Sequence, residues 1–148
     1  MDLQHTNLSL ALDASLIDHK LDNLQWISPY YSENPEKEIR LLNDIIKVLK
    51  KDSREKMVIT HYQFLSLILE QDLNIPNRWN LYHHNIYPIK NNKYVSYYKD
   101  FFNKNIEKNS VKIIYIIKSK PNENISIEQF KIHLDNICIK TEVINELM

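Results

Sequence analysis

The amino-acid sequence predicts an α/β fold in which helices cover both faces of a small, mostly parallel sheet. This prediction rests on the alternation of two kinds of segment along the chain. Short apolar runs of the kind found in strands alternate with segments of helical periodicity. The clearest case is the stretch Lys56–Glu70, where a strand that ends on Thr60 and His61 passes directly into an apolar helix. We therefore expect a Rossmann-like arrangement with right-handed crossovers between the strands.

Glycine is absent from all 148 residues, and this absence limits the chemistry of a Rossmann-like fold. The glycine-rich loops that cradle phosphates need backbone without a Cβ atom, so dinucleotide and P-loop sites are excluded. Backbone positions with positive φ must then fall to Asn or Asp, and we expect Asn91–Asn92 and Asn103–Asn105 to take them. The prediction is a Rossmann-like sheet without a glycine-rich loop and without a cofactor.

The overall composition indicates a single α/β domain, residues 1–148, with no internal repeat. The 19 basic and 19 acidic side chains give zero net charge, so we expect no nucleic-acid partner. Cys138 is the single cysteine, which excludes an intramolecular disulfide and a cysteine-based metal site. The apolar runs are too short for a membrane-spanning helix, and nothing in the pattern specifies an oligomeric state.

The amino-terminal third is expected to form two strands and two helices. Leu8–Leu12 and Gln25–Ser28 are strand-like runs, and between them lies a helix that Asp13 caps. Asn34–Glu36 is a strong helix start, because a capping Asn, a proline in the first turn and an early acid all stabilise the amino end. Apolar residues have helical spacing in both: Leu16, Ile17, Leu21 and Leu24 in the first helix, and Ile39, Leu42, Ile46 and Leu49, which share one face, in the second.

The rest of the chain alternates helices and strands around one long loop. The helix of the Lys56–Glu70 stretch is expected to end near Asp72, and the loop Leu73–Asn92 follows. Four more elements are predicted: a helix Tyr94–Ile106, an interior parallel strand Val111–Ile117, a helix Ser126–Asn136 and an edge strand Ile137–Ile144. The first of these helices is expected to bury its aromatic residues: Tyr94, Tyr97, Tyr98, Phe101 and Phe102.

His61 is the sharpest candidate for a functional side chain. Open α/β sheets bind ligands at the carboxyl ends of their strands, where an imidazole can act as a base or hold an anion. The alternative is a histidine that hydrogen-bonds a neighbouring loop and orders it. Thr60 either binds the same ligand or caps the following helix, and Tyr62 is assigned to the same candidate site.

The long loop supplies the other candidate ligand-binding residues. Arg78 is one of three arginines, and its guanidinium either clamps a carboxylate or phosphate or pins the loop by bonding carbonyls. Trp79 either joins this site or fills the core. The remaining candidates either form an aromatic, hydrogen-bonding surface of the kind that stacks on sugar rings or, since tyrosine-rich loops also arise from packing, fill the interior: Asn77, Tyr82, His84 and Tyr87.

A metal site and a catalytic centre are not expected. His83 and His84 are adjacent, so on extended chain their side chains point to opposite sides and at most one joins His61. No acidic residue stands at a ligand spacing near them, and a zinc site needs four ligands. No Ser-His-Asp order, paired carboxylates or nucleophile elbow is present, so no catalytic residue is assigned.

Two segments carry a resemblance to a known family: Lys56–Glu70, with its Thr-His-Tyr, and Leu73–Trp79, with its Pro-Asn-Arg-Trp. Similar pieces surround them: Leu24–Pro29, Asn34–Ile39, Lys93–Tyr98 and Ile113–Ile117. From Ala14 to Asn145 the chain resembles the soluble C-terminal domain of bacterial integral-membrane glycosyltransferases related to dolichyl-phosphate-mannose protein mannosyltransferases.

The resemblance implies an accessory domain on the extracytoplasmic face of a membrane enzyme. Its implied partners are the membrane-embedded portion, which binds a polyprenyl-phosphate sugar and supplies the catalytic carboxylate, and the glycan or lipid-linked sugar. Leu81–Pro88 replaces the Asp-Gly loop common in that family, so the chain is not expected to be catalytic alone. The alternative is a free-standing, cytoplasmic α/β module that binds a small anionic or sugar-like ligand. A hydrolase or transferase that uses His61 as base ranks below both, because no nucleophile or metal accompanies it.

Overall fold

The computed structural model describes residues 8–28, 31, 33–76, 87–88, 90–118 and 131–134. Its helices are α1 (Pro35–Lys51), α2 (Leu65–Leu69) and α3 (Val95–Lys108). Its strands are β1 (Leu12–Asp13), β2 (Gln25–Trp26), β3 (Lys56–Ile59) and β4 (Ile113–Ile116). The fold is therefore mixed α/β, as predicted from the alternation of strand-like and helical segments.

The chain divides into two compact units, and each is described by itself. The first comprises Met1–Ser53 and Phe64–Gln71, and the second comprises Arg54–Gln63 and Asp72–Met148. The chain leaves the first unit to form β3, returns to form α2, and leaves again at Asp72. The expectation of one domain over residues 1–148 stays a prediction.

Helix α1 dominates the first unit and confirms the prediction made for it. The Asn34 side chain accepts a hydrogen bond from the Lys37 backbone N–H at 3.2 Å, and Pro35 opens the helix. Lysines occupy the last turn, where they offset the negative end of the helix dipole. The four apolar residues predicted to face inward are all buried: Ile39, Leu42, Ile46 and Leu49.

Strands β1 and β2 pair with each other, and they pair antiparallel rather than in the predicted parallel sheet. Leu12 lies opposite Trp26, and Asp13 lies opposite Gln25. A parallel pair needs a crossover, usually a helix, to carry the chain back to the starting edge. The segment between these strands is folded into tight turns instead, so the chain simply reverses.

The prediction of a helix between β1 and β2 is wrong, because the side chains of two aspartates stabilise local turns of the backbone. The Asp13 side chain accepts from the Ser15 N–H at 2.9 Å, and the Asp18 side chain accepts from the Lys20 N–H at 3.1 Å. Such side-chain bonds to nearby N–H groups compete with the α-helical ladder. Short 3-10 turns result at Ala14–Leu16 and His19–Leu21, and another replaces most of the predicted first strand at Leu8–Leu10.

The second unit is built on the parallel pair β3–β4, and these two strands have the parallel direction predicted for most of the sheet. The register runs from Lys56 opposite Ile113 to Ile59 opposite Ile116. On its other edge β3 is bonded by the next loop: Val58 N–H donates to the Leu73 carbonyl at 2.9 Å, and the Asn74 amide donates to the Lys56 carbonyl at 3.0 Å. The described sheet has two strands, and β3 is hydrogen-bonded along both edges; its four residues are all buried, whereas β4 is only half-buried.

Helix α3 packs one face against this pair. Met57 and Ile59 of β3 form a buried cluster with Tyr87 and Phe102. Partly buried apolar side chains surround the cluster: Tyr98, Ile106, Val111, Ile114, Ile116 and Leu134.

The expectation that all five aromatic residues of this helix face inward is wrong for three of them. Tyr94, Tyr97 and Phe101 are 58%, 76% and 40% exposed, whereas Phe102 is fully buried. A helix turns about 100° per residue, so aromatics spread over positions 94–102 cover too much of its circumference to share one face.

Left-handed backbone occurs at other positions than those predicted. Among the described residues, positive φ is found at Asn23 (67°), Glu70 (50°), Asn74 (48°) and Ser110 (50°). Glu70 and Ser110 follow the ends of α2 and α3, where a left-handed residue commonly closes a helix and glycine usually provides it. The left-handed Glu70 also ends α2 earlier than Asp72. Asn103–Asn105 lie inside α3 and are helical, so they do not serve this purpose.

Two predicted carboxyl-terminal elements fall largely outside the described residues. These are the helix Ser126–Asn136, of which 131–134 are described, and the strand Ile137–Ile144. Within the described ranges, no helix combines the length and apolar character needed to cross a membrane.

Candidate functional site

The candidate site lies where β3 ends, at Thr60. This residue is fully buried, and its Oγ1 accepts a hydrogen bond from the Tyr62 N–H at 3.1 Å. The Thr60 carbonyl accepts from the Gln63 side-chain amide at 3.2 Å. Threonine forms such turns because its hydroxyl can satisfy an N–H group two residues further along. Thr60 does not cap the following helix, because α2 begins at Leu65 after Phe64 and has no side-chain cap; the ligand-binding role of Thr60 stays a prediction.

The turn places His61 between two buried neighbours. Thr60 and Tyr62 are both buried, whereas His61 is only half-buried. The His61 carbonyl accepts from the Gln63 N–H at 2.9 Å, which holds the backbone of this turn. Of the three residues predicted at this strand end, His61 is the one whose side chain solvent can reach, so it is the accessible part of the candidate site.

A second side chain, which the sequence analysis did not select, lies at the same edge of the sheet. Ile59 pairs with Ile116, and the Ile117 N–H continues the ladder by donating to the Ile59 carbonyl at 2.9 Å. Both strands therefore end at the same level. His61 follows two residues after the end of β3, and the exposed Lys118 follows two residues after the end of β4. Only the strand register brings Lys118 to this edge, and no local sequence signal marks it.

Tyr87, predicted to contact ligand at the end of the long loop, lies in the apolar cluster beneath β3. It is buried and packs with Met57, Ile59 and Phe102. Its ring also meets the ring of His133 edge to face, with the centroids 5.9 Å apart. Packing of this kind is the structural alternative for a tyrosine-rich loop, and a ligand contact for Tyr87 stays a prediction.

His133 is the one described histidine that is fully buried, and it is surrounded by aromatic rings. The ring of Tyr98 lies edge to face against it at 4.8 Å, and the Asn103 amide donates to the His133 carbonyl at 2.8 Å. Neither ring nitrogen of His133 makes a hydrogen bond to any of the described residues. The helical spacing predicted for Ser126–Asn136 was the only sequence signal near it, and it did not distinguish this histidine from the others.

The environment of His133 favours its neutral form. Burial lowers the pKa of His133 below the ordinary value of 6.5, and the charge of Lys99 lowers it further. The nearby Pro88 carbonyl opposes this shift by favouring a protonated ring, but it does not lie in hydrogen-bonding geometry. The neutral imidazole thus behaves here as an aromatic core residue.

Five predicted site residues lie outside the described residues: Asn77, Arg78, Trp79, Tyr82 and His84. Their assignment to the site stays a prediction. Within the part of the chain that the structure describes, no three His, Cys, Asp or Glu side chains are grouped closely enough to hold a metal ion.

Comparison with known proteins adds no relative. No family model, no curated protein and no solved structure matches this chain.

Proposed function

We propose that this protein is a binding domain for a small anionic or sugar-like ligand, held at the carboxyl ends of β3 and β4. The observation that carries the proposal is the shared level at which the two strands end. As a result, the half-buried His61 and the exposed Lys118 lie at the same edge of one sheet. Both groups suit a phosphate or carboxylate, since an imidazole can hydrogen-bond an anion and an ammonium offers three donors.

The long loop completes the site in this proposal. Arg78 clamps the anionic group through its planar fork of N–H donors, while Asn77, Trp79 and His84 contact the sugar-like portion. Thr60 and Tyr62 act through the backbone: the bond between them sets the turn that presents His61.

We further propose that β3 and β4 belong to a Rossmann-like sheet. Support comes from their parallel pairing, from the burial of all four residues of β3, and from the short connection between β3 and α2. In such sheets the ligand binds outside the carboxyl ends of the strands, which is the edge that carries His61.

The setting we propose is an accessory domain of a membrane-embedded glycosyltransferase, where this edge holds part of a glycan or of a lipid-linked sugar phosphate. The support is the sequence resemblance at Lys56–Glu70 and Leu73–Trp79. A free-standing binding module is the second candidate, favoured by the fact that the strand-end site is formed within one compact unit.

Titration with two probes tests the binding site. Inorganic phosphate and mannose 1-phosphate are added to the ¹⁵N-labelled protein, and amide shifts are followed by NMR. We expect saturable shifts around His61 and Lys118, and affinity at least roughly tenfold weaker in the His61→Ala and Lys118→Ala variants, because each loses a charge-assisted hydrogen bond.

Lys112→Ala is the matched control, because Lys112 is an exposed lysine at the opposite end of β4. It should leave the affinity unchanged. Equal weakening by Lys112→Ala and Lys118→Ala would show non-specific attraction and overturn the proposed site, as would unchanged affinity in both His61→Ala and Lys118→Ala.

The setting is tested separately, by reading the DNA upstream of the Met1 codon. A continuous reading frame that encodes several membrane spans supports the accessory domain. An in-frame stop codon immediately upstream, together with saturable binding by this chain, supports the free-standing module.

A further inference from the structure

The outer side of α3 presents an exposed stripe that neither the core nor the proposed ligand site uses. Five residues form this stripe, which we call the aromatic–lysine face: Tyr94, Tyr97, Phe101, Lys104 and Lys108. Its three rings are 58%, 76% and 40% exposed. Exposed rings in a contiguous row, rather than singly, mark an interaction surface.

Helical geometry puts these five side chains on one line. They are spaced three, four, three and four residues apart, which is the spacing of neighbours along one face of a helix. The opposite face is occupied, because Phe102 and Ile106 belong to the apolar cluster with β3 and β4. Packing within the second unit therefore already holds α3 with the aromatic–lysine face outward.

The face is divided into two halves of different chemistry. The amino-terminal half carries Tyr94 and Tyr97, the carboxyl-terminal half carries Lys104 and Lys108, and Phe101 lies between them. Tyr94 and Lys108 each lie seven residues from Phe101, while Tyr97 and Lys104 lie four and three residues from it. A second copy of α3 laid antiparallel therefore sets each lysine opposite a tyrosine and each Phe101 opposite the other.

We propose that two copies of this chain associate through the aromatic–lysine face, with α3 antiparallel to α3 and the two-fold axis at Phe101. The contact is isologous: each copy gives the tyrosines that receive the other's lysines. An ammonium over a tyrosine ring is an attractive cation–π pair. The chain already makes such a contact, since Lys93 Nζ lies 4.9 Å from the ring centroid of Tyr94.

Charges beside the face favour a second copy over an anionic surface. Asp100 and Glu107 are exposed on α3 and border the face. Against an anionic lipid bilayer or a nucleic acid these carboxylates are repelled, whereas in the antiparallel pair Glu107, six residues after Phe101, lies level to within one helical turn with the partner's Lys93, eight residues before Phe101. The contact is small, because a helix of 14 residues is about 21 Å long. We therefore expect weak, concentration-dependent association, below the area of a permanent dimer.

Disulfide trapping tests the orientation directly. All variants carry Cys138→Ser, so that each has a single introduced thiol. On mild oxidation, F101C should form a covalent dimer, and an equimolar mixture of Y94C and K108C should form a mixed dimer. Y94C alone should not, because two copies of residue 94 lie about 21 Å apart in the antiparallel pair and a disulfide needs Cα atoms within about 7 Å.

Sedimentation equilibrium of the unmodified protein measures the association itself. We expect the average mass to rise with concentration, and Tyr97→Asp to weaken association roughly tenfold or more. Ser96→Asp is the matched control, because Ser96 is an exposed neighbour outside the face, and it should have no effect. Equal midpoint temperatures of thermal unfolding in the two variants show that both keep the fold.

Three results would overturn the proposal. They are a monomer at every concentration, trapping of Y94C with itself in place of F101C, and equal effects of Tyr97→Asp and Ser96→Asp. A monomer that nevertheless sediments with phosphatidylcholine–phosphatidylglycerol vesicles, and loses that binding in Tyr97→Asp, would assign the face to a lipid surface instead.

Discussion

Helices α1 and α3 have similar lengths and similar numbers of apolar residues, yet only α1 buries the face that its sequence predicts. In α1 the apolar side chains occupy one sector and charged residues fill the rest. In α3 the aromatic residues surround much of the helix, and the structure buries Phe102 while exposing Phe101 beside it. Periodicity selects a buried face only when one sector alone is apolar. Where two sectors qualify, the packing partner chooses between them.

The largest effect expected from this difference concerns the two adjacent phenylalanines of α3. Phe102→Ala removes a fully buried ring from the cluster on β3 and should lower the free energy of unfolding by about 3–5 kcal/mol. Phe101→Ala shortens an exposed ring and should cost less than about 1 kcal/mol. Urea denaturation at low protein concentration measures both values. Equal losses would mean that the two faces of α3 are not distinguished as described.

The next prediction concerns pH, because the buried side of α3 packs against His133. The pKa of this histidine is lowered in the folded protein from the ordinary value of 6.5, so the folded state prefers the neutral ring. Stability should therefore be complete above about pH 7 and should fall as pH decreases through 6.5 towards the lowered pKa, because the unfolded chain takes up the proton first. Thermal unfolding between about pH 7.5 and about pH 5 measures this slope.

Two variants isolate the contribution of His133. His133→Leu removes the titrating group and should flatten the fall in stability over this range. His19→Leu, which removes a histidine whose side chain is 83% exposed, is the surface variant measured beside it. If His133→Leu retained the full slope, another group would be responsible for the pH dependence.

The smallest effect expected is at the carboxyl end of α3, where the chain lacks a glycine. Ser110 has φ of 50°, a conformation that a Cβ atom disfavours and glycine adopts freely. Ser110→Gly should raise the free energy of unfolding by about 0.5–1 kcal/mol. Asn109→Gly is the matched control, since Asn109 has an ordinary φ of −97° and gains only chain entropy when unfolded. Destabilisation by both substitutions would contradict the strain assigned to Ser110.

The candidate site shows the same contrast, because some of its residues follow from a local sequence pattern and others are placed only by tertiary contacts. An apolar run ending in Thr-His was sufficient to predict both the strand and the edge at which His61 lies. Lys118 could not be found in that way, because its place depends on the register between strands separated by more than fifty residues. Tyr87 shows the converse: a residue chosen for its chemistry lies in the apolar cluster, where its ring packs beneath β3.

The prediction that the first two strands belong to a parallel sheet was wrong for a local reason, and the residues responsible are visible in the sequence. Asp13 was predicted to cap one helix, but Asp13 and Asp18 each cap the start of a separate short 3-10 turn. Without a helix between them, β1 and β2 lack a crossover and pair antiparallel.

The sequence by itself determined the limits and start of α1, the strand β3 and the exclusion of glycine-based phosphate loops, since caps, periodicity and composition act within a few residues. The tertiary structure alone decided which face of α3 is buried, which residues take left-handed backbone, and which cation joins His61 at the strand ends. Those outcomes depend on contacts between distant segments, whose energies no local pattern contains.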